Sequence, residues 1–146
     1  MNPLRLLILL LIPIASPGLA ELPDAAIDGV WLSGDGDGWI EVTRDGEDLL
    51  GSVLGSPNDD PTRARTDVNN PEPSLRNRPL LGLNIFSGFS YDGGGRWSGG
   101  TIYDPNSGKT YKCIVTLLDA DTLSVRGYIG IALIGRTETW TRRAPD

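Results

Sequence analysis

Residues 97–118, WSGGTIYDPNSGKTYKCIVTLL, contain two strand-like runs joined by a turn, and they decide the fold class of this chain. The turn is Asp-Pro-Asn-Ser-Gly at 104–108, where proline and glycine supply the backbone angles that tight turns need. Apolar residues of the second run share one face: Tyr111, Cys113, Val115 and Leu117. This two-residue alternation predicts an antiparallel hairpin.

The same pattern continues on both sides of this hairpin. Asp45-Gly46 predicts a second hairpin, because glycine takes the positive φ that two-residue turns require. Further strands are predicted at 29–32, 39–44, 49–54, 122–129 and 137–142. Repeated short strands and turns favour an all-β, single-domain antiparallel barrel or sandwich.

Two segments do not fit the alternating pattern. Residues 56–77 are rich in Asn, Asp, Pro and Arg, which predicts one long polar loop, and loops of that length are often functional. Residues 80–89, Leu80-Phe89, are apolar enough to be buried. Periodicity alone leaves strand and helix open for this second segment.

The first 20 residues predict a secretion signal that is not part of the fold. Arg5 precedes the apolar run 6–12, and the small residues Gly18 and Ala20 suit cleavage before Glu21. A retained anchor is the disfavoured alternative, because about 20 apolar residues are needed to cross a bilayer. We therefore expect residues 21–146 to form one periplasmic or secreted domain that does not span the membrane.

Composition excludes several functions. The chain contains no histidine and one cysteine, so the usual general base, metal ligand and nucleophile pairs are missing. Cys113 lies in a predicted strand, which indicates a buried structural thiol. The formal net charge of −6 argues against nucleic acid and anionic membrane surfaces as partners. We expect no cofactor, no metal and no catalytic residues; a hydrolase using two carboxylates is the disfavoured alternative.

Residues 33–38, SGDGDG, invite a calcium interpretation that the following sequence disfavours. Counted from Ser33, the twelfth position of a calcium-binding EF-hand loop should hold a bidentate glutamate, but it holds Arg44. An acidic hairpin loop is the favoured interpretation.

Five short motifs resemble those of an exported bacterial family, domain of unknown function 2147. They are DVNNP (67–71), LRNRPLLGL (75–83), WSGGTIYDP (97–105), SGKTY (107–111) and VRGY (125–128). The resemblance runs from Gly29 to Arg142. It implies an exported protein of known architecture and carries no assigned activity.

Gly29-Val30-Trp31 also resembles the Gly-x-Trp opening of lipocalin-type barrels. In those proteins a late arginine packs on the tryptophan and closes the barrel bottom, so Arg136 or Arg142, flanking Trp140, is the matching candidate here. The resemblance thus implies structural roles for Trp31, Arg136 and Trp140, in a lipocalin-like barrel of about eight strands.

Candidate ligand-binding residues lie in the long loop and on the later strands. They are Asn69, Asn70, Arg76, Arg78, Trp97, Tyr103, Tyr111, Arg126 and Tyr128. Arg76 and Arg78 are favoured to pair with carboxylates such as Asp67 or Glu72; an anion clamp is the alternative.

The position of Arg126 and Tyr128 is left open by the sequence. They share a strand face opposite Leu123 and Val125, and parity does not say which face points inward. If the polar face points inward, Arg126 and Tyr128 form the polar end of an aromatic pocket.

Together these patterns predict a non-catalytic periplasmic barrel that binds a small amphiphilic or apolar ligand. The alternative is a protein-binding inhibitor or immunity-type module that acts on an envelope enzyme through its acidic surface and polar loop. The identity of the ligand and the oligomeric state are left open.

Overall fold

Residues 22–144 are described by the structure, a computed structural model. In this part of the chain nine antiparallel strands form one sheet that curls into a nearly closed barrel. The strands are β1 (Gly29–Leu32), β2 (Trp39–Asp45), β3 (Asp48–Gly55), β4 (Phe86–Ser87), β5 (Ser90–Gly93), β6 (Arg96–Asp104), β7 (Lys109–Asp119), β8 (Thr122–Tyr128) and β9 (Gly135–Arg142). Short 3₁₀ turns occupy Asp24–Ile27 and Pro73–Leu75. The predicted all-β barrel is confirmed.

The ring of strands follows the order β3-β2-β1-β9-β8-β7-β6-β4, with β5 beside β6. Consecutive hairpins build most of it, and the predicted turns lie where the sequence placed them. Gly46 takes φ +61° between β2 and β3, and Asp104 pairs with Lys109 across the β6–β7 turn. Ser33–Gly38 is a hairpin loop in which the Ser33 hydroxyl accepts the Gly38 N–H at 2.9 Å.

The barrel closes along an irregular segment rather than a regular strand. The Gly82 N–H donates to the Val53 carbonyl at 2.7 Å, and the Ile85 N–H donates to the Gly51 carbonyl at 2.8 Å. Between them the Asn84 side chain accepts the Gly51 N–H at 2.8 Å. Within Leu80–Phe89, the segment left open by periodicity, the strand β4 begins only at Phe86, and the residues before it form this seam with β3.

One end of the barrel is packed solid. Its fully buried side chains include Ile27, Trp31, Leu49, Val115 and Leu123. The Arg142 guanidinium lies 4.2 Å above the Trp31 ring and donates to the carbonyls of Asp28, Ala120 and, by a short contact, Ala26. Arg142 is therefore the arginine that closes the bottom.

The structural role expected for Arg136 is corrected by its position. Its side chain is 83% exposed, at the opposite end of β9 from Arg142. Six residues along a strand span about 20 Å, so Arg136 cannot reach Trp31.

Cys113 is fully buried in the inward face of β7, as predicted, and burial raises the pKa of its thiol to about 12. The predicted signal, residues 1–20, lies outside the described residues. Within residues 22–144 no helix is long and apolar enough to cross a membrane.

Candidate ligand cavity at the open end of the barrel

The end of the barrel opposite Trp31 contains a cavity of about 450 Å³. Apolar side chains from five strands and the seam form its wall: Ile40, Val53, Leu80, Ile85, Ile102, Val125 and Trp140. Phe86 stacks against Trp140 with ring centroids 5.8 Å apart and so backs the wall on the packed side. The interior is thus filled at one end and open at the other.

Charged groups surround the mouth of this cavity. Four carboxylates and two guanidinium groups line it: Asp35, Asp37, Asp104, Glu138, Arg65 and Arg136. Glu138 lies 3.9 Å from Arg136 and accepts the Trp140 indole N–H at 3.3 Å. The rim therefore offers polar contacts to a head group and carries more negative than positive charge.

The long loop is fastened to the cavity wall through one buried carboxylate, Asp67. Its oxygens accept the Tyr103 hydroxyl at 2.6 Å, the Asn70 side-chain N–H at 2.8 Å and the Arg78 Nε–H at 2.9 Å. The Asp67 N–H also donates to the Arg78 carbonyl at 3.0 Å. Both carboxylate oxygens of Asp67 therefore accept hydrogen bonds within this network.

The Asp67 and Tyr103 pKa values move in opposite directions, and each shift favours the ordinary charge state of its group. Burial on its own raises the Asp67 pKa, but the hydrogen bonds from Tyr103, Asn70 and Arg78 outweigh it and lower the pKa below 3.8. Burial, followed by the hydrogen bond and the negative charge of Asp67, raises the pKa of Tyr103 to about 12. The pair is held as carboxylate and neutral phenol.

Of the predicted ligand-binding residues, Tyr103 and Tyr111 line the cavity. Asn70 and Arg78 belong to the Asp67 network, and the pairing of Arg78 with Asp67 confirms the favoured interpretation for that arginine. Arg76 instead donates to the Asn70 carbonyl at 2.7 Å and shapes the loop backbone.

Asn69 joins the loop to the β6–β7 turn. Its side-chain N–H group donates to the carbonyls of Pro105 and Asn106 at 3.1 and 3.0 Å. It also lines a polar surface cleft of about 530 Å³ that adjoins the cavity, since Arg65 and Leu80 line both.

The remaining three candidates lie away from the cavity. Trp97 is 1% exposed and packs 4.7 Å from the Tyr91 ring in the filled interior. In β8 the buried face is that of Leu123 and Val125. Arg126 and Tyr128 therefore lie on the outer wall, and the polar pocket end that the inward alternative required is not formed by them.

Sequence reasoning missed the charged rim. Arg136, Glu138 and Trp140 alternate along β9, so the parity of a buried Trp140 was a usable signal that Arg136 and Glu138 also face inward. Arg65, in an irregular loop, gave no comparable signal.

A meandering antiparallel barrel with one packed end and one open end defines a lipocalin-like fold. The chain belongs to the family described as "Uncharacterized protein conserved in bacteria (DUF2147)", whose profile matches residues 29–142.

Protein HP1028 of Helicobacter pylori, described as belonging to the lipocalin family, has a similar structure, with a TM-score of 0.72. The two share 24% sequence identity over 81% of this chain and 83% of that chain. This likeness shows the fold. No curated protein matches the sequence.

Proposed function

We propose that this protein is a non-catalytic barrel of the bacterial envelope that binds a small ligand with an apolar body and a polar head. The observation that carries the proposal is the cavity of about 450 Å³, with an apolar wall beneath a charged mouth. Pockets for small molecules have volumes of about 300–1,000 Å³ and combine apolar walls with a few polar groups.

The charges at the mouth select the kind of head group. Asp35, Asp37, Asp104 and Glu138 outnumber Arg65 and Arg136, so an anionic head would face net repulsion. A neutral or cationic head has carboxylate acceptors on several sides. The expected ligand is therefore an uncharged or cationic amphiphile, whose apolar body contacts Val53, Ile85 and Val125.

A binding role is also supported by the state of the titratable groups beside the cavity. Asp67 and Tyr103 bond each other, and their shifted pKa values keep them in their ordinary charge states near neutral pH. A general acid or base needs a pKa near the working pH, which this pair lacks.

Export to the periplasm is part of the same proposal. It rests on the N-terminal pattern of Arg5, the apolar run 6–12 and the small residues before Glu21. Detection of mature protein beginning at Glu21 in a periplasmic fraction tests it.

The deciding experiment is native mass spectrometry, followed by organic extraction, on the mature protein purified from its own periplasm. We expect a bound small molecule. Ile102→Trp fills the cavity and should abolish that mass, with Val53→Phe as a second, milder filling variant. Leu118→Trp, at an exposed site on the packed end, is the matched control and should keep the ligand.

The wild-type protein without any ligand, or the same ligand in both filling variants, would contradict the proposal. A co-purifying envelope protein in place of a small molecule would support the inhibitor alternative instead.

A further inference from the structure

The loop between β8 and β9 exposes an unusual run of aliphatic side chains. In residues 129–134, Ile129, Ile131, Leu133 and Ile134 are between 59% and 86% exposed. Single exposed apolar residues are ordinary, but four within six residues form a contiguous patch. Such patches on globular proteins mark contacts with another protein or with a membrane.

This apolar loop stands at the mouth of the barrel. Gly127 and Arg136, which flank it, both line the cavity. The Arg126 guanidinium holds the loop from the outer wall, donating to the Ala132 carbonyl at 2.8 Å, the Leu133 carbonyl at 3.3 Å and the Thr137 hydroxyl at 2.8 Å. The Ile134 N–H donates to the Ile131 carbonyl at 3.1 Å.

These hydrogen bonds affect whether the loop can enter an apolar medium such as lipid. A backbone carbonyl without a partner is expensive in an apolar medium, so irregular backbone normally stays out of lipid. Here the carbonyls of Ile131, Ala132 and Leu133 have donors within the protein. The loop presents aliphatic side chains while its backbone groups are partly satisfied from behind.

Cations lie close to the apolar loop, although the whole chain is acidic. The stretches 109–118 and 122–137 hold the cations Lys109, Lys112, Arg126 and Arg136 and no carboxylate, in a chain of net charge −6. Lys112 lies directly opposite Tyr128, where the loop begins. The carboxylates of the mouth lie near the inward-facing cations: Glu138 is beside Arg136, and Asp104 pairs with Lys109. On the outer wall the cations are Lys112 and Arg126.

We propose that residues 129–134 insert into the surface of a phospholipid bilayer that contains anionic lipid, with the outer-wall cations Lys112 and Arg126 beside the head groups. Aliphatic insertion combined with nearby lysine and arginine is how proteins bind such interfaces without spanning them. The acidity of the whole chain argued against this partner, but Lys112 and Arg126 lie on the outer wall, whereas the four carboxylates of the mouth line the cavity. Docking through the outer wall does not require the cavity to hold a ligand.

A second copy of the chain fits the loop less well. A symmetric dimer built on it would bring the patch that holds Lys112 and Arg126 against a copy of itself. Like charges placed opposite one another in an interface disfavour association. Anionic lipid neutralises the same cations.

Vesicle binding tests the proposal. Mature protein is sedimented with vesicles of phosphatidylethanolamine containing phosphatidylglycerol and, separately, with phosphatidylcholine vesicles. We expect binding to the former that weakens with added salt. Leu133→Ser with Ile134→Ser should lower the partition coefficient about tenfold or more. Leu118→Ser, which removes an exposed leucine at the packed end, should leave it unchanged.

A fluorescent label locates the contact. Cys113 is buried and its thiol pKa is raised to about 12, so a cysteine introduced as Leu133→Cys reacts selectively. A polarity-sensitive dye there should shift to the blue on anionic vesicles, whereas a dye on Leu118→Cys should not.

The result that overturns the proposal is wild-type protein that ignores anionic vesicles, or the double serine variant binding as tightly as wild type. Sedimentation velocity showing a dimer that the double variant dissolves would also overturn it, by giving the loop to a second copy. Thermal melting of each variant establishes that it is folded.

Discussion

Asp67 shows how one buried carboxylate fastens a long irregular loop to a barrel. A charged group without partners is costly inside a protein, whereas Asp67 receives donors from Tyr103, Asn70 and Arg78. Because these donors come from different parts of the chain, the carboxylate links the loop at 67–78 to strand β6. Within the DVNNP and LRNRP motifs, Asp67, Asn70 and Arg78 thus have a structural explanation in this network.

We predict that removing one hydrogen-bond donor to Asp67 lowers the free energy of unfolding and changes its dependence on pH. Tyr103→Phe should lower the free energy of unfolding at neutral pH by about 1–2 kcal/mol, the usual effect of losing a hydrogen bond to a charged group. Tyr128→Phe, on the outer wall, is the matched control and should change it by less than about 0.5 kcal/mol. Urea unfolding measures both.

The sign of the pH dependence of stability follows from the pKa shifts of Asp67 and Tyr103. The Asp67 pKa is lowered from 3.8, so its contribution is present above that value and is lost as pH falls through the lowered pKa. The Tyr103 pKa is raised from 10.0 to about 12, so its contribution is present below pH 10 and is lost as pH rises through about 12. Tyr103→Phe should reduce the loss of stability at alkaline pH, to which the buried Cys113 thiol also contributes, and an unchanged alkaline limb would contradict the assignment.

Arg142 shows where residue-level reasoning stops. The sequence left two candidates for the arginine that packs on Trp31: Arg136, just before the last predicted strand, and Arg142, at its end. The choice depends on which end of β9 meets β1, and in the structure Trp31 pairs with Arg142. That pairing joins residues more than 100 positions apart, and no local pattern encodes it.

At the scale of elements, hairpins were predictable and the seam was not. Asp45-Gly46 and residues 104–108 encode their turns locally, through glycine and proline. The seam joins β3 to residues 82–86 through three backbone hydrogen bonds and the side-chain amide of Asn84, in place of a regular ladder. Such pairing leaves no alternation in the sequence, which is why periodicity could not separate strand from helix there.

Gly51 is the position at which the seam is most sensitive. A Cβ on Gly51 would lie 2.8 Å from a ring carbon of Phe86, closer than carbon atoms approach. We predict that Gly51→Ala displaces the ring and lowers the free energy of unfolding by about 1–3 kcal/mol. Gly38→Ala, whose added methyl group would meet no atom closer than 3.6 Å, is the control.

The measurement for Gly51 is urea unfolding combined with hydrogen exchange of the Ile85 and Val53 amides, which bond across the seam. Faster exchange at these two amides in Gly51→Ala would place the damage at the seam. Unchanged exchange at these amides, with no change in stability, would show that Phe86 moves aside freely and that the contact is not tight.

On the scale of the whole molecule, the two ends of the barrel differ: one is filled and the other is open. The packed end, where Arg142 covers Trp31, is filled by fully buried side chains. The open end carries the cavity, the charged rim and the apolar loop 129–134. The barrel was predictable from the sequence because alternation and turns repeat along the chain. The division into a filled and an open end was not, because it depends on how side chains from distant strands meet.

Two valines, one in each part of the barrel, test this division into a filled and an open end. Val115 is fully buried at the packed end, whereas Val53 lines the cavity. Val115→Ala should lower the free energy of unfolding by about 2 kcal/mol, since the lost methyl groups leave a void that the packing cannot refill. Val53→Ala enlarges a space that already exists, so its effect should stay below about 1 kcal/mol.

Urea unfolding of the ligand-free protein measures both effects. The informative result is which of the two substitutions lowers the free energy of unfolding more. Equal losses would mean that the open end is collapsed around Val53 in solution, and a binding barrel would then need its ligand to form the cavity. The predicted inequality would mean that the cavity stands open before a ligand arrives. Binding would then require little reorganisation, because stability is supplied by the end that the ligand does not touch.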